Sequence, residues 1–584
     1  MNTPTRFRCA DLASVSVLLV VTVSTAAAQS SDSRSGARLD GLRMDSTRID
    51  SVFARFDSSH SPGCALGIIR AGRTVYARGY GMADLENATP ITPRTVFDIG
   101  STSKQFTAAS IALLAADGRL SLDDDVRKYI PELPKYGKPI TLRHLLQHTS
   151  GLRDYIGIMS LAGFRLADMT TDAEALDAIT RQKALNFPPG SEHYYSNSGY
   201  LLASIVIERA SGMSLAAFAR KRIFEPLRMT STLVRSRHAL LIPRRATGYS
   251  PGDSSGFVID MSDWEQTGDG AVHTTVEDLA IWDQNYYTPT VGGQQLLERL
   301  LAPGHLDNGK ALTYALGLFV DEYRGLRRVH HGGSWAGYRA ELLRFPDQHV
   351  SVAVLCNLAT ASASGLAGQV ATILLAEHLK PESKAEQRAQ AAETGAPPPA
   401  TREAAAAGAE LARYTGLYFH QATSAFRRVA IDSGRLVLNI SGTVLPLHAL
   451  GGDRFQSTEH PVTIAFQTAK PGAPLRLIET IAEDSAVTYE PMPPAAINAR
   501  GLAAYTGTYD SRELATAWTL TIRDSVLILQ HRSQGDTRLE PAFADAFTAG
   551  PSLVRFTRGE GGRITGFSVS IGRARNIGFV RRRV

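Results

Sequence analysis

The chain contains 584 residues with a formal net charge of +6, and 43% of its residues are hydrophobic and 20% charged. This length predicts several domains, and the composition excludes a globally disordered chain. The densest basic cluster is the terminal triplet Arg581, Arg582 and Arg583. A solvated chain end explains this triplet better than a nucleic-acid surface, so we expect no nucleic-acid partner.

The N-terminus carries the pattern of an export signal. A short basic segment precedes an apolar run over residues 13–23, and a run of alanines ends at Ala28. The apolar run is shorter than the roughly 20 residues that cross a bilayer, so a permanent anchor is the weaker alternative. We expect a signal peptide over residues 1–28, cleavage near Ala28, and a periplasmic or secreted mature protein without a membrane span.

Cleavage would leave two cysteines in the mature chain, Cys64 and Cys356. They could pair in an oxidising compartment, but two cysteines do not make a disulfide scaffold. The sequence therefore favours two buried free thiols.

The elements that follow indicate one large mixed domain. After a spacer at residues 29–40 comes an amphipathic helix, and then CALGIIRAG and RTVYARGYG, which predict a hairpin. Residues 100–290 have a mostly helical pattern, and strands return at AELLRFPDQHVSVAVLCNL. Strands at both ends with helices between them predict an α+β domain over residues 41–380. Its antiparallel sheet would be assembled from both chain ends, with a helical region inserted.

The C-terminal third repeats itself. Residues 381–407 are rich in Ala, Glu and Pro without an apolar period, which indicates a linker. Beyond it, LARYTGLYF around Tyr414 matches LAAYTGTYD around Tyr505, and each copy continues with alternating apolar runs. We therefore predict two small antiparallel β-barrels, at residues 408–495 and 496–584.

The first chemical motif is FDIGSTSKQFTAAS, in which Ser101 and Lys104 lie three positions apart at a predicted helix start. Such a step is nearly one helical turn, so both side chains would share a face. A neutral lysine amine could accept the serine proton if the site disfavours the charged form. Free N–H groups at the helix N-terminus would help to hold an oxyanion. The alternative is an ordinary helix cap, because Ser-x-x-Lys alone is a weak motif.

Two later motifs add groups of the same chemistry. SEHYYSNSGY carries Tyr195, a phenol that could shuttle a proton, and Asn197, an amide that could hold both the lysine and a substrate carbonyl. RRVHHGGSWAGY places His331, Gly333 and Ser334 at a strand, where glycine would let a substrate approach closely. Taken singly, a tyrosine-rich helix cap and a glycine-rich turn are the simpler interpretations.

Together, the motifs and their order resemble the β-lactamase and penicillin-binding serine hydrolase superfamily. The resemblance is to its class C-like branch, which includes D-aminopeptidases, D,D-carboxypeptidase-like enzymes and esterases, and it covers about residues 42–380. The blocks that carry it are FDIGSTSKQFTA, ITLRHLLQHTSGL, YYSNSGYLLASIV, GDGAVHTTVEDLAIW and HHGGSWAGY. The likeness implies a β-lactamase/transpeptidase-like fold. A hydrolase domain followed by two barrels is also similar to D-aminopeptidases, in which an appended barrel can approach the catalytic cleft.

The resemblance also implies roles for individual residues. Ser101 would be the acylated nucleophile and Lys104 its base. Tyr195 would be the proton shuttle, and Asn197 would bind the lysine and the substrate.

The strand motif departs from the family pattern. His331, Gly333 and Ser334 would line the carbonyl-binding strand, but β-lactamases typically have Lys-Thr-Gly where this chain has His-Gly-Gly. A histidine is largely neutral at pH 7, so efficient β-lactam turnover is less expected.

The sequence thus predicts an exported serine hydrolase that cleaves small peptides with D-residues, amides or esters through an acyl-enzyme on Ser101. The alternatives are a catalytically idle protein that recognises cell-wall peptides, and a true β-lactamase. No phosphate loop or dinucleotide fingerprint appears, so no cofactor is expected. His144 and His148 lie four apart on a predicted helix, but we interpret them as structural, and we expect no metal. The oligomeric state is left open.

Overall fold

The structure is a computed structural model that describes residues 38–39, 42–253, 256–381 and 410–583, apart from short gaps in the C-terminal third. Those gaps are residues 441–442, 458–461, 469, 471, 482–485, 496, 498 and 532–533. The predicted signal peptide and nearly all of the predicted linker lie outside the described residues. The chain divides into two compact units, residues 1–46 and 47–584. In the first, the short strands Arg38–Leu39 and Leu42–Arg43 pair with each other.

The α+β domain predicted over residues 41–380 is called the hydrolase-like domain below. Its centre is a six-stranded antiparallel sheet built from both ends of the domain. In spatial order its strands are Phe319–Tyr323, Leu326–Trp335, Tyr338–Phe345, Val350–Cys356, Cys64–Arg70 and Arg73–Tyr80. Every residue of Val350–Cys356 is buried, because helices cover both faces of this central strand. The predicted hairpin and the predicted assembly of the sheet from both ends are confirmed.

The inserted region is helical, as predicted. Its most buried helix is Lys104–Ala116, in which every residue from Lys104 to Leu114 is buried. A helix that is buried all round occupies the interior of its domain. The α-helices of the domain are Ser46–Val52, Lys104–Ala116, Leu142–Leu146, Tyr155–Ala162, Asp172–Thr180, Asn197–Ser211, Leu215–Ala219, Glu225–Leu227, Val276–Gln284, Gly293–Leu301 and Ala363–Leu374.

Short strands and turns connect these helices to the sheet. A small three-stranded sheet lies directly before the Ser101 turn. Its strands, in spatial order, are Phe97–Asp98, Val272–Thr274 and Leu233–Val234. The other short strands are Met82–Asp84, Thr89–Pro90, Tyr249–Pro251 and Phe257–Ile259. Single turns of 3-10 helix lie at Ala54–Phe56, Gly100–Ser103, Val126–Lys128 and Pro346–Gln348, and a π-helical turn lies at Arg220–Phe224.

Cys64 and Cys356 form a disulfide, so the prediction of two free thiols was wrong. Their strands are neighbours in the sheet, and the register places the two residues directly opposite each other. The sequence separation is 292 residues. Which strands become neighbours across such a distance is a property of the assembled sheet, so local sequence could not reveal the pairing.

The C-terminal third forms two closed eight-stranded antiparallel barrels, which confirms the predicted pair of barrels. The strands of barrel 1 are Gly416–His420, Ala425–Asp432, Arg435–Ile440, Thr443–Gly451, Arg454–Ser457, Val462–Thr468, Leu475–Ile481 and Val487–Met492. Those of barrel 2 are Gly507–Ser511, Thr516–Arg523, Val526–His531, Gln534–Phe543, Ala546–Ala549, Ser552–Arg558, Ile564–Ile571 and Ala574–Arg581. The C-terminal third also contains short helical elements: the helix Ala499–Leu502 and the 3-10 turns Ala412–Tyr414, Ala503–Tyr505 and Glu560–Gly562. The predicted module boundaries themselves stay predictions.

The two barrels differ in how they join the rest of the molecule. The apolar core of barrel 2 is continuous with the core of the hydrolase-like domain, whereas barrel 1 has a core of its own. Within the described ranges no single helix has both the length and the apolar composition of a membrane span. The bent pair Asn197–Ser211 and Leu215–Leu227 meets both criteria only when its two helices are counted together.

Candidate active site

A sharp turn between a strand and a helix presents Ser101. The strand Phe97–Asp98 leads into the 3-10 turn Gly100–Ser103, and Asp98 Oδ1 accepts a hydrogen bond from the Gly100 N–H at 2.8 Å. Gly100 has a φ of +47°, and a Cβ there would lie 2.7 Å from the backbone nitrogen of Ser334. Only glycine fits such a position without strain. The turn therefore holds Ser101 close against the strand that carries Ser334.

The Lys104 amine is fully buried directly beneath Ser101. Its Nζ lies 3.0 Å from Ser101 Oγ, 2.9 Å from Asn197 Oδ1 and 2.6 Å from the backbone oxygen of Asp269. The predicted reach between the serine and lysine side chains is confirmed. A neutral amine could accept the Ser101 proton across the same 3.0 Å contact.

Asp154 fixes the orientation of Asn197. Its Oδ2 accepts from the Asn197 backbone N–H at 2.8 Å and from the amide Nδ2 at 3.0 Å, which turns the amide oxygen towards Lys104. Its Oδ1 caps the next helix by accepting from the Ile156 N–H. No local sequence pattern distinguishes Asp154, which in the sequence is one acid in a loop.

Asp269 is a second group without a distinguishing local pattern, although it lies in the family-like block GDGAVHTTVEDLAIW. Its carboxyl is buried and accepts from the Tyr155 hydroxyl at 3.1 and 3.3 Å. Burial raises the pKa of this carboxyl to about 7, although the nearby Lys104 charge acts in the opposite direction. Lys104 Nζ contacts the backbone oxygen of the same residue, so the lysine charge and the buried carboxyl lie in one polar cluster.

The Tyr195 hydroxyl is buried and has no hydrogen-bond partner in the described part of the chain. The ring lies 4.0 Å from the ring of His148, and Lys104 Nζ lies 5.0 Å from its centroid. Buried hydroxyls are rarely left unpaired, and a catalytic role is one explanation for an exception. Ser101, Tyr195 and Asn197 line one cavity, so the structure brings together these distant motifs.

His331 is 2% exposed, and both of its ring nitrogens have partners. Nδ1 lies 2.6 Å from the Gly332 carbonyl and Nε2 lies 3.1 Å from the Tyr314 hydroxyl, so we assign the ring proton to Nδ1. Burial lowers the pKa of His331 to about 3, which leaves the ring uncharged at neutral pH. The predicted role of His331 in substrate binding stays a prediction.

Beyond His330 the strand Leu326–Trp335 loses its partner on one side, because Phe319–Tyr323 pairs with it only from Leu326 to His330. Gly333 and Ser334 lie in this unpaired stretch and line the cavity. A Cβ on Gly333 would lie 1.9 Å from the Ile99 carbonyl, so glycine allows the strand and the nucleophile turn to touch. The free strand edge can hydrogen-bond an extended substrate.

The cavity has a volume of about 780 Å³ and is completed by large side chains. Trp264 and Trp335 form part of its wall, with ring centroids 5.8 Å apart. Three arginines also line it: Arg235, Arg339 and Arg573. Arg573 comes from barrel 2, so that barrel supplies part of the site.

His144 and His148 have separate local partners. His144 Nδ1 accepts from the Thr141 N–H at the start of its helix, and His148 Nδ1 accepts from the Ser196 N–H. These bonds support the interpretation of both residues as structural.

Comparison with known proteins identifies the family. A family model described as Beta-lactamase matches residues 49–377. The chain belongs to the beta-lactamase family. A penicillin-binding protein of Bacillus subtilis (strain 168) is 30% identical to this beta-lactamase-family protein over 427 residues, 69% of this chain and 89% of the relative. A D-aminopeptidase of Cereibacter sphaeroides is 27% identical over 538 residues, 89% of this chain and 96% of the relative.

A solved structure extends the likeness to the fold. The octameric penicillin-binding protein homologue from Pyrococcus abyssi superposes with a TM-score of 0.54 at 23% identity, covering 84% of this chain and 99% of that one. The resemblance drawn from the sequence motifs is confirmed by the family match. Membership places this beta-lactamase-family protein among hydrolases.

Proposed function

We propose that the protein is a serine hydrolase that forms an acyl-enzyme on Ser101 and releases it to water. The observation that carries the proposal is the 3.0 Å contact between Ser101 Oγ and the buried Lys104 amine. That contact opens onto a cavity which the Tyr195 phenol also lines.

The geometry suggests how the proton would move. As Ser101 Oγ attacks the acyl carbon, its proton passes to neutral Lys104 Nζ, and the carbonyl oxygen becomes an oxyanion. The N–H of Ser101 lies in the first turn of a helix, where backbone donors have no intrahelical acceptor. Together with the N–H of Ser334 on the adjacent strand it would hold the oxyanion. The Tyr195 hydroxyl would then protonate the leaving group and recover a proton from Lys104.

Deacylation would reverse these roles with water in place of the leaving group. Water would lose a proton through Tyr195 while its oxygen attacks the acyl carbon, and Ser101 Oγ would recover a proton from Lys104. Asn197 keeps the amine in place throughout, because Asp154 fixes its amide.

We propose amides, esters and small peptides with D-residues as substrates. Relatives named D-aminopeptidase support the peptide class. The uncharged His331 argues against efficient β-lactam turnover, because it offers no fixed positive charge on the substrate strand.

Covalent labelling tests the mechanism. The wild type treated with a fluorophosphonate should gain one adduct by intact mass and hydrolyse p-nitrophenyl esters. Ser101→Ala should lose both properties, Lys104→Ala should lose turnover, and the exposed control Ser236→Ala should keep both. A wild type that is neither labelled nor active would favour an idle binding protein. Rapid nitrocefin turnover that requires Ser101 would instead make it a β-lactamase.

We also propose that the protein is exported, with cleavage after Ala28. The buried Cys64–Cys356 disulfide supports this proposal, because such bonds persist mainly in oxidising compartments. N-terminal sequencing of the mature protein should begin at Gln29, and an intact N-terminus with all protein in the cytoplasm would refute it.

A further inference from the structure

Two arginines border the cavity without a carboxylate partner. Arg235 is 7% exposed, and its Nη2 donates to the Ser262 carbonyl. Its Nε–H is buried without an acceptor. Arg339 donates only to the carbonyls of Ala336 and Tyr338. Within the described part of the chain neither guanidinium forms an ion pair.

Removing such charges from water is costly unless an anion compensates. Burial lowers the pKa of both Arg235 and Arg339, which reflects this cost. Trp264 and Trp335 line the same cavity, and apolar surface of this kind lowers the local dielectric, which strengthens an ion pair formed there. A ligand with a carboxylate would supply the missing partner, since the planar guanidinium matches a carboxylate in a two-bond geometry.

The carboxylates near the two arginines are otherwise engaged. Asp98 acts on Arg235 from a distance, but its Oδ1 accepts from Gly100 and its Oδ2 lies 3.9 Å from His273. Asp269 binds the Tyr155 hydroxyl. Asp260 acts on Arg339 only at long range. Asp263 also acts on Arg235 only at long range. Among the described residues, therefore, no carboxylate lies within ion-pair distance of either guanidinium.

Both arginines are anchored close to the reaction centre. Arg339 is the cross-strand partner of Ser334, whose N–H points to the site of the oxyanion in the proposed mechanism. The Arg235 backbone N–H donates to the Ala271 carbonyl, two residues after the Asp269 carbonyl that binds Lys104. Arg573 differs from both arginines, because it pairs with Asp154.

We propose that Arg235 and Arg339 bind a carboxylate of the substrate, so that the preferred substrates are amides or esters that carry a free carboxylate. This inference rests on the proposed serine hydrolase function. The uncharged His331 ring cannot supply a positive charge for a substrate carboxylate. Arg235, from the helical insertion, and Arg339, from the sheet, would supply it instead.

Matched substrate pairs test this inference, and each pair differs only in one charge. For a carboxylate on the acyl side, the pair is p-nitrophenyl hydrogen adipate and its methyl ester. For a carboxylate on the leaving group, it is N-benzoylglycyl thioglycolate and its methyl ester. In at least one pair, kcat/KM for the acid should exceed that for the methyl ester by about tenfold or more, the effect of one charge-assisted contact.

Variants then assign the effect to the arginines. Arg235→Gln and Arg339→Gln should each lower kcat/KM for the preferred acid by about tenfold to a hundredfold while that for its methyl ester changes little. Arg339→Lys should recover part of the loss. The exposed control Arg237→Gln should leave kcat/KM unchanged for both substrates. If Arg235→Gln does not fold, Arg339→Gln and protection of Ser101 from fluorophosphonate by free adipate decide the question.

Equal rates for acid and ester in both pairs, or a preference that survives in both variants, would overturn the inference. In that case turnover of the methyl esters that depends on Ser101 would leave the proposed function intact. Absence of both labelling and turnover would overturn the two together.

Discussion

The two barrels have the same internal bracing but different surroundings. In barrel 1 the Tyr418 hydroxyl donates to the Tyr414 carbonyl at 2.8 Å, and in barrel 2 the Tyr509 hydroxyl makes the same bond to Tyr505. The Tyr414 hydroxyl also donates to Asp453 of barrel 1, and the Tyr505 hydroxyl donates to Asp545 of barrel 2. The repeated sequence LAxYTGxY therefore encodes one structural device twice.

The buried ion pairs show where the two copies diverge. In barrel 1, Glu479 pairs with Arg427 inside the barrel itself. In barrel 2, Glu513 pairs with Arg153 of the hydrolase-like domain at 2.6 Å, and the same carboxylate accepts from the Lys183 N–H. The buried carboxylate of barrel 1 thus has its partner within the same barrel, whereas that of barrel 2 has its partner in the domain that holds Ser101.

The largest effect should come from breaking these two pairs. Removing one partner of a buried ion pair costs about 3–5 kcal/mol, because the remaining charge is left uncompensated. Glu513→Gln should therefore lower the stability of the hydrolase-like domain together with barrel 2 and reduce ester turnover. Glu479→Gln, the matched variant in barrel 1, should cost a similar free energy without reducing turnover. Calorimetry and kcat/KM on p-nitrophenyl esters measure the two quantities.

Equal loss of turnover in both variants would contradict the distinction between the barrels. It would mean that barrel 1 contributes to the site through contacts other than its core, for instance through the apolar cluster it shares with barrel 2 around Phe419 and Phe543.

The sequence predicts most of what depends on local spacing. Ser101 and Lys104 are three residues apart, so a helix start brings them together whatever the rest of the fold does. Tyr195 and Asn197 could be assigned only through the resemblance, because the distance between their loop and Ser101 depends on how helices pack.

Groups whose role depends on a long-range contact escaped the sequence analysis. Asp154 matters because it holds Asn197, and Arg235 because its buried Nε–H has no acceptor among the described residues. Neither property has a local pattern. Cys64 and Cys356 are the sharpest case, since their bond requires two strands to be neighbours in a sheet built from both ends of the domain.

The disulfide gives the next largest expected effect, and it sharpens the comparison of the barrels. Removing a native disulfide typically costs about 2–5 kcal/mol. In a Cys64→Ala/Cys356→Ala double variant, the calorimetric transition of the hydrolase-like domain and barrel 2 should shift to lower temperature. The transition of barrel 1 should stay in place, because its core is separate. A single transition that moves as a whole would show that all three parts unfold together.

The smallest effect is expected from Arg573, the residue of barrel 2 that enters the cavity. Its guanidinium lies 4.7 Å from the Tyr195 ring centroid and 3.6 Å from Asp154 Oδ2, so it contacts both the phenol and the carboxylate that orients Asn197. The side chain is 44% exposed, so these contacts are worth about 1 kcal/mol together.

Arg573→Ala should therefore lower kcat for neutral esters by about fivefold to tenfold with little change in KM, because the residue acts through groups that move the proton. Arg573→Lys should recover part of the loss, and Arg563→Ala, an exposed arginine of the preceding turn, should have no effect. A change confined to KM would instead make Arg573 a substrate contact. Either outcome would distinguish barrel 2 from barrel 1 by chemistry as well as by packing, since no described residue of barrel 1 lines this cavity.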